Sequence, residues 1–317
     1  MPLPEAAFLT RLRRSAGKHS AAVLGIGDDC AIMRVPAGHE ALVTTDLSLE
    51  GVHFRRDWQR PEDIGHRCLL RGLSDIAAMG GRPIAAFLSI GLPSDLPQAW
   101  FDSFIRGLLQ LARKYHVHLA GGDTSASPAG ILADIVVVGS VPRDTALQRS
   151  GARPGNRIYV TGELGAAAAI LGQLRHGLRP TTRIKQEPRI AIGDWLRRKG
   201  IASAAIDLSD GLSTDLSHIC AESAVGAVLS AAAIPIHPLA RDFHNLDLAL
   251  HGGEDYELLF TAPASRRVPR KIAGVKITHI GEIIRGKTMK LEIGGKRKTL
   301  EAQGWEHFSV WSSTMGE

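Results

Sequence analysis

Five short stretches of this chain set aspartate beside glycine, serine or threonine: Gly27-Asp28-Asp29, Thr44-Thr45-Asp46, Leu73-Ser74-Asp75, Gly121-Gly122-Asp123 and Ile206-Asp207-Leu208-Ser209-Asp210. All but Leu73-Ser74-Asp75 stand where an apolar run turns out of a strand or into a helix. Solvated surface aspartates need no such placement, whereas a hard cation such as Mg2+ takes several carboxylate and water oxygens converging on one point. The pattern points to a carboxylate site and to phosphate chemistry.

The strongest of these signals is Ala205-Ile206-Asp207-Leu208-Ser209-Asp210-Gly211-Leu212, a small apolar strand that delivers two carboxylates and a hydroxyl just before a helical run. Helix capping accounts for Ser209 or Asp210, because either side chain satisfies a free N–H at a helix start, but it does not account for both aspartates. Thr44-Thr45-Asp46 ends a strand, and Asp29 follows a turn containing two glycines; alone, each serves structure as readily as function. Asp75 carries a similar capping alternative, with helical pattern on both sides of it. Gly121-Gly122-Asp123-Thr124-Ser125 follows the strand-like Val117–Ala120, and paired glycines let backbone N–H groups approach a phosphate, although they also make ordinary hairpins. His251-Gly252-Gly253-Glu254-Asp255-Tyr256-Glu257 is a second Gly-Gly-acid turn, with Glu254 or Asp255 available to an amine-bearing ligand.

One formal match is rejected. Gly281–Thr288 satisfies the phosphate-loop expression, but that loop joins a strand to a helix, and Met289–Ile293 alternates like a strand; the spacing predicts a β-hairpin turn instead. None of the 13 histidines, His53 among them, is spaced as a zinc-binding helical pair, and no G-x-S-x-G elbow occurs.

Elements able to position these residues alternate along the chain. Strands are expected at 41–45, 85–90, 117–120, 131–138, 157–160, 202–206, 227–230, 257–260, 275–280 and 289–293, and helices at 62–79, 97–115, 164–176, 188–199 and 212–223. This is a mixed α/β pattern. The polar, turn-rich stretch 149–156 suggests a boundary between domains 1–148 and 149–317. A chain of 317 residues with 44% hydrophobic content can bury a core in each.

The balance of 38 Lys and Arg against 32 Asp and Glu, a net +6, favours anionic ligands, but 5% aromatic residues offer few platforms for bases and the cations are dispersed. Neither nucleic acid nor membrane is expected as a partner. Three scattered cysteines, Cys30, Cys68 and Cys220, suit a reducing compartment, and no run approaches a membrane span of about 18 apolar residues. A cytoplasmic location is expected.

Taken in order, Gly25–Ala31, Thr44–Asp46, Gly51-Val52-His53-Phe54, Leu73–Gly80, Gly121–Thr124, Ile206–Leu212 and Gly252–Leu258 closely resemble the thiamine-monophosphate kinase family, which belongs with the aminoimidazole ribonucleotide synthetase-like superfamily. The resemblance implies two α/β domains of that superfamily's type, with mixed sheets and packed helices. The first would carry the metal and ATP site and the strands of a homodimer, and the second would complete the ATP and substrate site. It implies direct in-line phosphorylation of thiamine monophosphate by ATP, with several Mg2+ ions. The implied metal ligands are Asp29, Thr44, Thr45, Asp46, Asp75, Asp123, Asp207 and Asp210, with Asp46, Asp75, Asp123 and Asp210 as the catalytic set. Gly122, Asp123, Arg149 and Ser209 match ATP-contacting positions, and His53, Glu254 and Trp305 match positions that contact the thiamine substrate. A purine-pathway synthetase of the same superfamily and a non-catalytic ATP-sensing protein are the alternatives. An intact His53, Glu254 and Trp305 set speaks against the second.

Overall fold

The structure, a computed structural model, describes residues 14, 22–26, 29–180, 182–241 and 245–307; Gly27 and Asp28 lie outside the described residues. The chain forms two compact units, one of Met1–Leu147 with Lys185–Gly200, the other of Gln148–Ile184 with Ile201–Glu317. The first crossing falls beside the polar stretch read from the sequence, but residues 185–200 belong with the first unit rather than the second half of the chain.

In the first unit a short ribbon pairs β1 (Ala22–Leu24) with β2 (Ile32–Met33). Then follow β3 (His39–Leu49), α1 (Pro61–Ala78), β4 (Arg82–Leu92), α2 (Gln98–Lys114), β5 (His118–Ala126) and β6 (Leu132–Pro142). The four long strands form one sheet in the order β3-β6-β4-β5, in which only β4 and β5 run parallel.

Helix α1 begins with Pro61, whose fixed φ suits a first helical position, and carries Glu62 and Asp63 at its positive end. Its stripe of Ile64, Cys68, Leu69, Leu73 and Ile76 is buried. Gly72 permits a close approach to the sheet: a Cβ there would lie 2.6 Å from Val137 Cγ2, with Thr44 Cγ2 at 3.5 Å. Along β3, Leu42 and Ser48 are buried while Val43 and Leu47 are 67% and 48% exposed. Strand alternation thus turns Thr44 and Asp46 to the helix side and Thr45 to the other.

Two expectations change here. Asp46 does not end its strand, since β3 runs on to Leu49 in unbroken register with β6. Gly121-Gly122-Asp123 likewise lies within β5 and not in a turn after it. Backbone pairing with a neighbour extends both strands past the point where the apolar run stops.

The second unit contains β7 (Asn156–Thr161) and α3 (Ala166–Arg175). The next helix, α4 (Ile190–Arg198), lies in the segment that packs with the first unit, where Arg197 Nε donates to Gly80 O at 2.8 Å. The second unit resumes with β8 (Ala204–Asp207), α5 (Leu212–Ser223), β9 (Gly226–Ser230), α6 (Pro238–Arg241), α7 (Asn245–His251) and β10 (Leu258–Pro263). It ends with β11 (Lys271–Ile272), β12 (Val275–Ile284), β13 (Met289–Ile293) and β14 (Lys296–Thr299). The sheet order is β14-β13-β9-β12-β7-β10-β8, with β11 paired to β12. Its core gathers Ile158, Val160, Ile206, Leu216, Leu229 and Ile280. Gly281–Thr288 does join two strands, but they do not form the expected hairpin, because β9 lies between β12 and β13 and pairs in parallel with β13.

His66 of α1 is buried at 3% exposure, and its Nε2 donates to Gln186 O at 2.8 Å. Burial holds its imidazole below the usual range. The unfolded chain therefore takes up the proton first, so this contribution to stability is complete above about pH 6.5 and is lost as pH falls further. The thermal midpoint is expected to drop between pH 7.5 and 5.5, and His66→Gln to flatten that drop; an equal slope in the variant would place its source elsewhere.

Candidate active site

On the helix side of the first sheet, Thr44 Oγ1 donates a hydrogen bond to Asp75 Oδ2, and Asp46 lies two residues along on the same face of β3. The α1–β3 packing thus joins three oxygen-bearing side chains 31 residues apart in sequence at their widest. Thr45 faces the other way, its Oγ1 donating to Asp134 Oδ1 at 2.7 Å. Asp29 is exposed in the link between β1 and β2. His53 sits in the turn after β3, where Leu49 N donates to its Nδ1 at 3.0 Å; that bond puts the ring proton on Nε2.

Asp123 stands across from Ser89 on β5, follows Gly122, and accepts the N–H of Thr124 at 2.8 Å. β3 and β5 are the two edges of the sheet, so Asp46 and Asp123 are three strand spacings apart, about 14 Å. One chain's first unit does not bring these two carboxylates together.

In the second unit β8 ends at Asp207, which is 3% exposed, and the turn Leu208-Ser209-Asp210-Gly211 leads into α5. Backbone hydrogen bonds clamp that turn from two directions. On one side Leu208 N donates to Glu257 O at 2.8 Å, Tyr256 N to Leu208 O at 2.9 Å and Glu254 N to Ser209 O at 2.8 Å. On the other, Trp305 N donates to Asp210 O at 3.0 Å. Asp207, Ser209, Asp210, Glu254 and Trp305, distant in sequence, are thereby assembled. Glu254 and Tyr256 adopt φ of 65° and 52°, a left-handed conformation costly for residues with side chains and sustained here by these bonds.

Of the two acids in the second Gly-Gly turn, Asp255 has a structural task. It is buried, its Oδ2 accepts Gly165 N at 2.8 Å at the start of α3, and burial pushes its carboxyl up to about 7. Glu254 stands instead beside Ser209, to whose carbonyl its N–H donates at 2.8 Å. Arg149 is exposed, and its carbonyl accepts Ser223 Oγ at 3.1 Å, at the far end of α5 and about 17 Å along the helix from the Ser209-Asp210 turn. Arg149 and Ser209 are thus not side by side.

Asp215 is a residue the sequence reading missed. It is 1% exposed, and its Oδ2 accepts Gly211 N at 3.0 Å and Asp210 N at 3.2 Å. Burial, reinforced by the charges of Asp207 and Asp210, pushes its carboxyl up to about 8. The available signal was an acid in the first turn of a helix directly after two other aspartates. Ligand atoms of Asp210, Asp215 and the exposed His218 all lie within 4.8 Å of one another. Crowded acidic oxygens of this kind suit a hard divalent cation, whose charge would offset the burial and the repulsion that together raise Asp215.

Comparison with known proteins agrees with this architecture. The family described as "AIR synthase related protein, N-terminal domain" matches residues 27–141. Thiamine-monophosphate kinase of Escherichia coli K12 is 39% identical over 308 residues, covering 90% of this chain and 92% of that protein. The crystal structure of thiamine-monophosphate kinase from Stenotrophomonas maltophilia superposes with a TM-score of 0.82 at 35% identity, covering 94% of this chain and 99% of the other. A structure of AaThiL complexed with AMPPCP and TMP superposes with a TM-score of 0.73 at 30% identity, covering 87% and 89%. Identity of this extent over nearly the whole length, on a shared two-unit α/β fold, means that the chain belongs to the thiamine-monophosphate kinase family.

Proposed function

We propose that this enzyme performs ATP-dependent phosphorylation of thiamine monophosphate to thiamine diphosphate by direct in-line transfer, with Mg2+ held by its aspartates. The observation that supports the reading is the Asp207–Asp210 turn, whose backbone is bound by the segments that carry Glu254 and Trp305. The relative solved with AMPPCP and TMP supports the pairing of nucleotide and acceptor.

The acceptor is a phosphate, largely ionised at neutral pH, so its attack needs no strong general base. A site built from carboxylates and hydroxyls is sufficient. Mg2+ bound there supplies charge neutralisation between two polyanions. In the first unit Thr44, Asp46 and Asp75 would hold one ion on the helix side of the sheet, and Asp29, Thr45 and Asp123 would serve other ions; in the second, Asp207 and Asp210 would do so. Gly122, Asp123, Arg149 and Ser209 would contact ATP. His53 presents a protonated Nε2, Glu254 an acceptor for an amine, and Trp305 an aromatic face to the thiamine moiety.

The protein would act as a homodimer through the open face of the first sheet. Val43, Leu47 and Leu132 stand exposed there, an apolar surface whose burial would stabilise association. A second copy on that sheet would also cover Thr45, which turns to the same face, so that its hydroxyl would lie in a site shared between the subunits. None of the described helices is long and apolar enough to cross a membrane. A cytoplasmic place of action fits the free thiols of Cys30, Cys68 and Cys220.

Incubation with MgATP and thiamine monophosphate should yield thiamine diphosphate, whereas free thiamine or an aminoimidazole-pathway substrate should not be phosphorylated. Direct transfer predicts no ADP–ATP isotope exchange without acceptor; exchange would demand a phosphoenzyme. Asp46→Asn and Asp210→Asn should each lower kcat by about 100-fold or more with an unchanged thermal midpoint. Near-normal turnover at saturating Mg2+ would remove that residue from the site. Val43→Glu should give a monomer by light scattering and lose turnover while retaining its circular dichroism; an intact dimer would rule out this face.

A further inference from the structure

The segment 301–306 has no helix or strand of its own, yet three consecutive backbone N–H groups in it are bound by the start of α5. Gln303 N donates to Ser213 Oγ at 3.3 Å, Gly304 N to Thr214 Oγ1 at 2.9 Å and Trp305 N to Asp210 O at 3.0 Å. Contact is tight: a Cβ on Gly304 would lie 2.1 Å from Asp210 O and 2.6 Å from Thr214 Oγ1. Ser213 is fully buried, and its Oγ lies 2.8 Å from His251 Nδ1. Because that oxygen accepts the N–H of Gln303, its own proton can go to His251, which fixes the direction in which the oxygen's lone pairs point.

Trp305, reached through this strap, is 37% exposed, with its ring edge-on to His307 at 5.5 Å between centroids. Its position relative to Asp210 and Glu254 therefore rests on its own bond to Asp210 O and on hydroxyls of α5, and not on a sheet or helix of its own. Main-chain donors need such partners, and removing one leaves an N–H that must find water or move.

We propose that Ser213 and Thr214 are positioning residues for the acceptor: their hydroxyls pin the 303–305 strap so that Trp305 stands beside the aspartate turn, which sets affinity for the thiamine ester without altering affinity for ATP. The proposal rests on the reading of Trp305 as a substrate contact.

The test uses the full chain in steady-state kinetics, with thiamine monophosphate varied at saturating MgATP and the reverse. Thr214→Val keeps the shape but removes the acceptor. It should raise KM for thiamine monophosphate about 10-fold and leave KM for ATP within about twofold. Thr214→Ser should restore the wild-type value, and Gly304→Ala, whose Cβ would push the strap off Asp210 O and Thr214 Oγ1, should reproduce the split. In a Trp305→Ala background the added effect of Thr214→Val should vanish, since the two changes act on one contact. If Trp305→Ala raises that KM while Thr214→Val and Gly304→Ala do not, the strap has no such role. If Trp305→Ala itself changes nothing, the reading of Trp305 fails and the proposal with it. Equal rises in both KM values would mark a general structural loss and overturn it as well.

Discussion

Like charges held out of water at the start of α5 govern the second unit. Asp207 and Asp215 are almost fully buried, and Asp210 lies between them in sequence and beside them in space. Carboxylates in that setting repel one another and forgo solvation, which is why Asp215 is pushed up to about 8. The arrangement persists because main-chain N–H groups and flanking segments hold it. Asp215 takes the N–H groups of Asp210 and Gly211, the 254–257 segment binds the turn from one direction, and the 303–305 strap binds it from the other. A fold that confines negative charge in this way is suited to a cation between phosphates. The left-handed Glu254 and Tyr256 are part of the cost of that confinement.

The first unit solves a different problem. Its acids stand on a half-solvated sheet, so orientation comes from strand alternation and from the depth at which α1 can sit. Gly72 allows the helix close to Val137 and Thr44, which places Asp75 within hydrogen-bonding reach of Thr44. The same alternation sends Thr45, Val43 and Leu47 to the opposite, open face. One strand thereby serves two surfaces, an acidic one against the helix and an open one that carries exposed apolar side chains.

Much was legible without coordinates. Local chemistry is written locally: the glycine, serine and aspartate punctuation marked the Asp207–Asp210 turn, the apolar periodicities marked the principal strands and helices, and the family and its reaction followed from the ordered set of motifs. Strand ends were less legible, because ladder bonds to a neighbour carried β3 and β5 past their apolar cores. β13 alternates as a strand, but nothing local to it indicates that it pairs with β9 and not with the strand before it.

What the sequence determined, then, was which residue types were available and in what local setting, since spacing and capping act over a few residues. Tertiary structure alone decided which of them meet. It joined Thr44 to Asp75, sorted Thr45 away from Asp46, gave Asp255 to a helix cap and left Glu254 beside Ser209. It also set Asp46 and Asp123 on opposite sheet edges and moved residues 185–200 into the first unit. These outcomes depend on sheet order and on packing between segments tens of residues apart, and neither is encoded in any single stretch of chain.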